Sequence, residues 1–157
     1  MPNERERTPR LPPRWFVRTA WVVHRALYRA SGGRFGLRRA RAGRWGMLAL
    51  TTIGRRTGQT HRVILGYLED GPNLVTMAMN GWGEGEPAWW LNLQASPDTM
   101  VDLADGSREI RARAARGEEG ARLWAAWQEL EPNLEAYAAR RSSETAVVVF
   151  EPRETST

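Results

Sequence analysis

The stretch LTTIGRRTGQTHR, residues 50–62, decides the fold because it joins two apolar segments through a tight polar turn. The segments on either side, 45–52 and 62–69, are mainly apolar and have the length of ordinary strands. Gly54 and Gly58 stand at the ends of the turn, where glycine lets the backbone reverse direction. The pattern predicts two neighbouring β-strands with two adjacent arginines between them.

The rest of the chain predicts four further strands, with helices at its start, in its middle and near its end. In the segment 108–114, apolar residues alternate with arginines, as expected of a half-buried strand. Pro87 suits the first turn of a short helix. The further predicted strands are 73–79, 99–103, 108–114 and 146–150, and the predicted helices are 14–30, 87–93, 118–130 and a turn that carries Leu134 and Tyr137.

Strands and helices do not alternate regularly along the chain, which disfavours a parallel, doubly wound sheet. We therefore predict an α+β fold, a small barrel of about six mostly antiparallel strands with peripheral helices. Pro9, Pro12 and Pro13 prevent a regular helix at the start. Residues 1–13 are accordingly predicted to be a flexible leader, and residues 14–157 a single domain.

The composition excludes several kinds of site. The 157 residues include no cysteine, which removes disulfides and thiol nucleophiles, and only two histidines, His24 and His61, so we expect no metal centre. No apolar run approaches the roughly 20 residues that cross a bilayer. Residues 1–13 also lack the apolar core of a secretory signal. The expected location is the cytoplasm.

The charges are unevenly distributed along the chain. All 23 basic residues are arginine, and most of them lie within the first 62 residues, whereas most acidic residues follow. This separation predicts that the first part of the chain faces an anionic partner. A nucleic acid, an anionic membrane and a polyanionic small molecule all fit.

The predicted helix 14–30 has two opposed faces. Its apolar face carries Phe16, Ala20, Val23, Leu27 and Ala30, and its other face carries Arg14, Arg18, Arg25 and Arg29. The favoured interpretation packs the apolar face against the barrel and leaves the arginines in water. The alternative is peripheral contact of residues 14–30 with an anionic membrane surface.

Two segments are candidates for ligand binding. The turn 54–58 can bind phosphate or carboxylate through guanidinium groups and backbone amides, although an exposed basic turn without a ligand accounts for the same residues. The glycine-rich loop 80–87 leads into Trp89 and Trp90, an arrangement that suits a flat conjugated ligand. The fingerprints of phosphate loops and dinucleotide folds are absent. Two separate histidines give little support to a nucleophile with an adjacent base.

Several motifs in one order give these segments a more specific interpretation. They are TTIGRRTG (51–58), LGYL (65–68), NG (80–81), PAWWLNL (87–93), ASP (95–97) and VVVFEP (147–152). Their order and spacing resemble the deazaflavin-dependent nitroreductase family over roughly residues 15–153. The resemblance implies a split β-barrel that binds coenzyme F-420, an 8-hydroxy-5-deazaflavin with a phosphate and an oligoglutamate tail.

The resemblance also implies a set of site residues. Those expected at the phosphate and tail are Arg55, Arg56, Thr57 and Gly58, with Gln59 and Thr60 beside them. Those expected around the ring are Leu65, Gly66, Tyr67, Ala78, Met79, Asn80 and Gly81, together with Trp89 and Asn92 of the motif helix, where Trp89 fits packing equally well. Tyr137 is the candidate catalytic residue, a hydroxyl on the substrate side. In place of the family's usual residues, the chain has Leu134 for a tyrosine and the acid Glu86 before the helix.

The implied reaction is hydride transfer from C5 of the reduced deazaflavin to an electron-poor acceptor such as a quinone, an activated alkene or a nitro compound. In such chemistry the protein orients the cofactor and excludes water. The alternatives are a deazaflavin-binding protein without turnover, a flavin mononucleotide-binding barrel and a nucleic-acid-binding barrel. The last ranks lowest because the aromatic residues are not interleaved with the arginines.

Overall fold

Six antiparallel strands close into a barrel in the computed structural model, which describes residues 12–16, 18–20, 22–23 and 36–154. The spatial order is β1-β2-β3-β6-β5-β4. The strands are β1 (Gly46–Ile53), β2 (Thr60–Asp70), β3 (Asn73–Met77), β4 (Asp98–Leu103), β5 (Gly106–Ala114) and β6 (Val147–Pro152), and the helices are α1 (Ala88–Ala95), α2 (Gly117–Leu130) and α3 (Leu134–Ala138). The predicted α+β antiparallel barrel is confirmed.

The ends of the elements differ slightly from the prediction. The largest functional difference is at β3, which ends at Met77 and not at Met79, although Ala78 N still donates to Ala146 O at 2.9 Å beyond the last pair of the β3–β6 ladder. Residues 14–16, 18–20 and 22–23 are helical, as predicted for the start of the chain. The leader 1–13 stays a prediction, since most of it lies outside the described residues. No helix in the described part of the chain is long and apolar enough to span a membrane.

The barrel interior is filled by alternate residues of the strands. Leu48 and Leu50 of β1 meet Val148 and Phe150 of β6 in one buried cluster. Tyr67 of β2 belongs to the same cluster with 1% of its surface exposed, and Ala40 N donates to its hydroxyl at 3.4 Å. The period of two along each strand therefore places its apolar residues inside.

The helices α2 and α3 cover the outer face of β2, β3 and β6. Trp127 and Leu134 are buried there against Leu68 and Val149. Leu134, which stands where the related family has a tyrosine, is thus a core residue with 1% exposure. Helix α2 is also tied to the sheet by charge, because the Arg113 guanidinium donates two hydrogen bonds of 2.7 Å to the Glu119 carboxylate and a further one to Glu151.

The barrel is split between β2 and β3. The β1–β2 ladder is continuous from Gly46–Tyr67 to Ile53–Thr60. The β2–β3 ladder has only the pairs Leu68–Val75, Glu69–Leu74 and Asp70–Asn73. Where this ladder stops, Thr76 Oγ1 donates to Gly66 O at 2.7 Å. Residues 63–66 and 76–79 are therefore free to form the two sides of a cleft.

The β1–β2 ladder requires a glycine at position 46. A Cβ added there would lie 2.5 Å from Tyr67 Cε1 and 2.6 Å from Ala40 N. Because the tyrosine ring is buried and the other atom is backbone, neither can move away easily. We expect Gly46→Ala to lower the free energy of unfolding by about 1–3 kcal/mol in urea denaturation.

Gly66→Ala is the matched control, since its Cβ would meet the nearest atom, Trp127 Cη2, at the ordinary distance of 3.5 Å. We expect its unfolding free energy to change by less than about 1 kcal/mol. Equal losses in the two variants would contradict the assignment of Gly46 as a close-packing point.

Candidate functional site

A cavity of about 810 Å³ opens where β2 and β3 diverge. Residues 63–66 of β2 form one side, and Thr76, Met77 and residues 79–81 form the other. The turn 54–57 and the first residues of α1 close its ends. The volume lies within the range of about 300–1,000 Å³ that is usual for small-molecule sites.

The turn after β1 has a defined shape. Gly54 N donates to Gln59 O at 2.7 Å, and Gly58 N donates to Gly54 O at 2.8 Å. Gly58 has a φ of +71°, a backbone conformation that glycine adopts without strain. Thr57 Oγ1 also accepts from Gln59 N at 3.2 Å. These contacts hold the two arginines of the turn at the edge of the cavity.

Asn92 of α1 anchors this turn from below. Its side-chain oxygen accepts from Arg55 N at 3.1 Å and from Arg55 Nη1 at 3.3 Å. Its nitrogen donates to Thr52 Oγ1 at 3.2 Å. Asn92 is 5% exposed and Thr52 is 2% exposed, so each buried polar atom in this chain of contacts has its partner. The motif helix thereby sets the position of Arg55.

The cavity is strongly cationic. Among the described residues, four arginines line it, Arg14, Arg18, Arg55 and Arg56, together with one carboxylate, that of Glu84. Within the described residues, none of the four arginines forms a salt bridge with a carboxylate. Guanidinium groups without an anionic partner are suited to phosphate and carboxylate ligands.

The carboxylate of Glu84 accepts hydrogen bonds from Ser142, in the C-terminal part of the chain. Ser142 donates to it from its backbone N at 3.1 Å and from Oγ at 2.7 Å. These hydrogen bonds lower the pKa of Glu84 below its usual value, with the charge of Arg14 adding to the effect. The carboxylate therefore remains ionised and stays engaged with Ser142.

The loop between β3 and α1 forms the remaining wall. Gly83 N donates to Asn80 O at 2.9 Å across a tight turn in which Gly81 has φ +55° and Trp82 has φ +58°. A tryptophan rarely adopts a positive φ. The Trp82 ring is 7% exposed and stacks on Tyr137, with ring centroids 5.4 Å apart and an angle of 15° between the planes. This stacking balances the local strain.

The structure brings most of the predicted site residues together. Those that line the cavity are Arg55, Arg56, Thr57, Leu65, Gly66, Met79, Asn80, Gly81, Trp89 and Asn92. Gly58, Gln59 and Thr60 continue the turn without lining it, and Ala78 is fully buried.

Tyr67 and Tyr137 lie away from the cavity wall. Tyr67 points into the closed part of the barrel, because its position in β2 has the inward parity. The ring of Tyr137 is held between Trp82 and the guanidinium of Arg140, which lies 5.5 Å from the ring centroid. Burial raises the pKa of the Tyr137 hydroxyl. The structure packs the ring of Tyr137 against Trp82 and does not place it among the residues that line the cavity, so its role as a substrate-side hydroxyl stays a prediction.

Other lining residues were not predicted. His61 lies beside the turn, three residues after the motif 51–58 and directly after Thr60, the last residue predicted there. Thr76 and Met77 face the cleft because β3 separates from β2, which no sequence pattern indicated. Arg14 and Arg18 belong to the basic face of the first predicted helix, and the favoured interpretation placed that face in water.

The favoured interpretation of that first helix is wrong for its described residues. Phe16 and Val23, on the predicted apolar face, are 54% and 53% exposed, whereas Arg14 and Arg18 line the cavity. One contact that favours this orientation is a hydrogen bond of 3.2 Å, in which Arg14 Nη2 donates to Arg140 O. Leu27 and Ala30 lie outside the described residues.

A split antiparallel barrel with a cationic cleft between two parting strands is suited to binding an anionic cofactor. The family model described as F420H(2)-dependent quinone reductase matches residues 21–152, and the chain belongs to this family. It is therefore an oxidoreductase that depends on reduced coenzyme F-420. The predictions of family, cofactor and fold class are confirmed.

Individual relatives agree with this membership. The chain is 31% identical over 147 residues to an F420H(2)-dependent quinone reductase of Mycobacterium tuberculosis, with 89% of this chain and 97% of the relative covered. A solved F420-H2 dependent reductase, FDR-A, matches with a TM-score of 0.60 and 25% identity over 67% of this chain and 93% of that chain. HutZ, the heme storage protein of Vibrio cholerae, matches with a TM-score of 0.53 at 10% identity over 69% and 82%, which shows the fold alone.

Asn92 provides a test of how the turn is positioned. Asn92→Asp keeps an oxygen that accepts from Arg55 N but loses the donor to Thr52, and its negative charge pairs with the Arg55 guanidinium. We expect the affinity for F-420 to fall about tenfold, or ~1.4 kcal/mol, in a fluorescence titration. Asn73→Asp makes the same change at the start of β3, away from the cavity, and is expected to bind like the unmodified protein. Unchanged affinity in Asn92→Asp would contradict the assignment of Asn92 as the residue that positions Arg55.

Proposed function

We propose that this chain binds reduced coenzyme F-420 in the cleft between β2 and β3 and delivers its hydride to a quinone. The observation that carries the proposal is the set of four cavity arginines without a carboxylate partner among the described residues. A polyanionic ligand of the kind that gives its name to the family satisfies all four at once.

The residues present fit such a cofactor. Arg55 and Arg56 offer donors to a phosphate and to carboxylates, and Thr57 adds a hydroxyl beside them. Apolar side chains, among them Leu65 and Trp89, also line the cavity and suit a flat ring. Gly66 of β2 also lines the cavity.

When bound, reduced F-420 supplies the hydride. The protein contributes binding and orientation: the arginine turn would hold the anionic end, and β2 and the loop that follows β3 would hold the ring. Trp89 and Leu65, 7% and 8% exposed, exclude water from the ring. Fixing one end of a long ligand restricts the position of the other, which favours reaction through orientation.

The first test is a fluorescence titration with F-420 and with flavin mononucleotide. Arg55→Ala/Arg56→Ala is expected to weaken F-420 binding by about a hundredfold at low salt, or ~2.7 kcal/mol, because two charge-assisted contacts are lost. The control Arg108→Ala/Arg116→Ala removes the same charge from exposed positions outside the cavity and should leave binding unchanged.

Three results would overturn or narrow the proposal. Preference for flavin mononucleotide would indicate a different cofactor. Selective F-420 binding without oxidation by any quinone would leave a cofactor-binding protein. Salt-sensitive binding of DNA with no response to F-420 would favour the nucleic-acid alternative.

We also infer that the first helix brings this site to a membrane surface. Its described residues expose Trp15, Phe16, Val22 and Val23 by 68%, 54%, 55% and 53%. A cluster of exposed apolar residues beside arginines is typical of interfacial helices. A long-chain quinone dissolves in the bilayer, so this contact places the acceptor next to the cavity that Arg14 and Arg18 border.

Vesicle sedimentation tests this contact. The vesicles contain phosphatidylglycerol. Trp15→Ser/Phe16→Ser is expected to reduce the bound fraction at least about tenfold, because the two side chains that the bilayer buries each contribute more than about 1 kcal/mol to binding. Met100→Ser, a change at a 44% exposed position of β4, serves as the control. Equal binding of all three proteins, or no binding by any, would refute membrane contact through this helix.

A further inference from the structure

Arg141 is a buried cation outside the cavity. Its side chain is 0% exposed. Nε donates to Gly83 O at 3.1 Å, Nη1 to Ala78 O at 3.2 Å and to Thr145 Oγ1 at 2.7 Å, and Nη2 to Gly85 O at 2.9 Å and to Glu86 Oε1 at 3.4 Å. A guanidinium has five N–H donors, and here each has an acceptor.

Three of these acceptors are main-chain carbonyls of the loop that forms one wall of the cavity. The loop has no helical or strand bonding of its own between β3 and α1, and its backbone takes positive φ at Gly81, Trp82 and Gly85. Such a segment has many accessible shapes unless something outside it selects one. Arg141 reaches its start, middle and end from a single planar group.

The contact with Arg141 also directs Glu86. This acid stands just before α1, yet it is not among the cavity-lining residues. Its carboxylate forms an ion pair with Arg141, which directs the negative charge away from an anionic ligand in the cavity. Asn80, Gly81 and Gly83 of the same loop do line the cavity.

We propose that Arg141 is a positioning residue for the F-420 reaction, because it fixes the loop 79–86 against the cofactor cavity. This inference rests on the proposed function. Arg141, in the segment between α3 and β6, thereby acquires a role in the site that the sequence analysis did not predict. Lysine cannot replace it, since an ammonium group has only three donors and no planar fork.

Hydrogen–deuterium exchange of the ligand-free protein tests the anchor directly. In Arg141→Lys we expect amide exchange in residues 79–86 to rise at least about tenfold, with the strands of the barrel unchanged. Arg122→Lys, the same change at an arginine of α2 that pairs with Asp70 outside the cavity, is expected to leave the exchange of this loop as it is. A uniform rise over the whole chain, or no rise in the loop, would overturn the proposal.

Binding and turnover are measured on the same proteins. We expect Arg141→Lys to raise the Kd for F-420 about tenfold and to lower kcat, because the ring end of the site loses its fixed wall. A wild-type protein that binds no F-420 would refute the proposed function, and the exchange result would still decide the role of Arg141. Increased exchange with unchanged Kd and kcat would show an anchor without influence on the site and would overturn the proposal.

Thr145→Val keeps the test possible if Arg141→Lys does not fold. It removes a single acceptor from Arg141 Nη1 and preserves the shape of the side chain. We expect a smaller increase of exchange, about threefold, confined to the same loop. Exchange identical to the wild type in this variant would count against the anchor.

Discussion

The parting of β2 and β3 after the pair Leu68–Val75 is the constraint on which the rest of the structure depends. A six-stranded barrel that pairs all round has an interior filled by its own side chains. Space for a ligand arises only where two strands separate, and the separated backbone groups must then find other partners. The Thr76 hydroxyl provides one for the carbonyl of Gly66. The cavity and its loop wall follow from this separation.

Arginine has three different environments in this protein, and the supply of acceptors distinguishes them. Arg141 is buried and fully satisfied, chiefly by carbonyls. Arg113 at the surface is satisfied by Glu119 and Glu151. Arg18 and Arg56 at the cavity have no such acids among the described residues. Like charges held close together raise the free energy of the ligand-free state, and a polyanion that binds there relieves this repulsion.

How much could be read from the sequence depends on whether the information was local. The strands, the turn 54–58 and the helix α1 follow from short-range patterns, and they appear where the patterns put them. The alternation of residues along β2 is consistent with the burial of Tyr67, but the motif LGYL led to the prediction that it lies at the cofactor ring. The contact between Arg141 and Gly83 joins residues 58 positions apart, and no periodicity encodes such a pair. The direction of the first helix depended on what lay beneath Arg14, a property of the assembled surface.

The order of strands carries a consequence for how the protein is made. Strand β6, the last along the chain, lies between β3 and β5, which are synthesised earlier. While translation proceeds, those two strands wait with unpaired edges, and such edges are prone to join with other chains. Ring closure is thus a late event that links distant parts of the sequence, which slows folding. Ribosome-associated chaperones are therefore expected to engage the nascent chain until residues 147–152 have emerged.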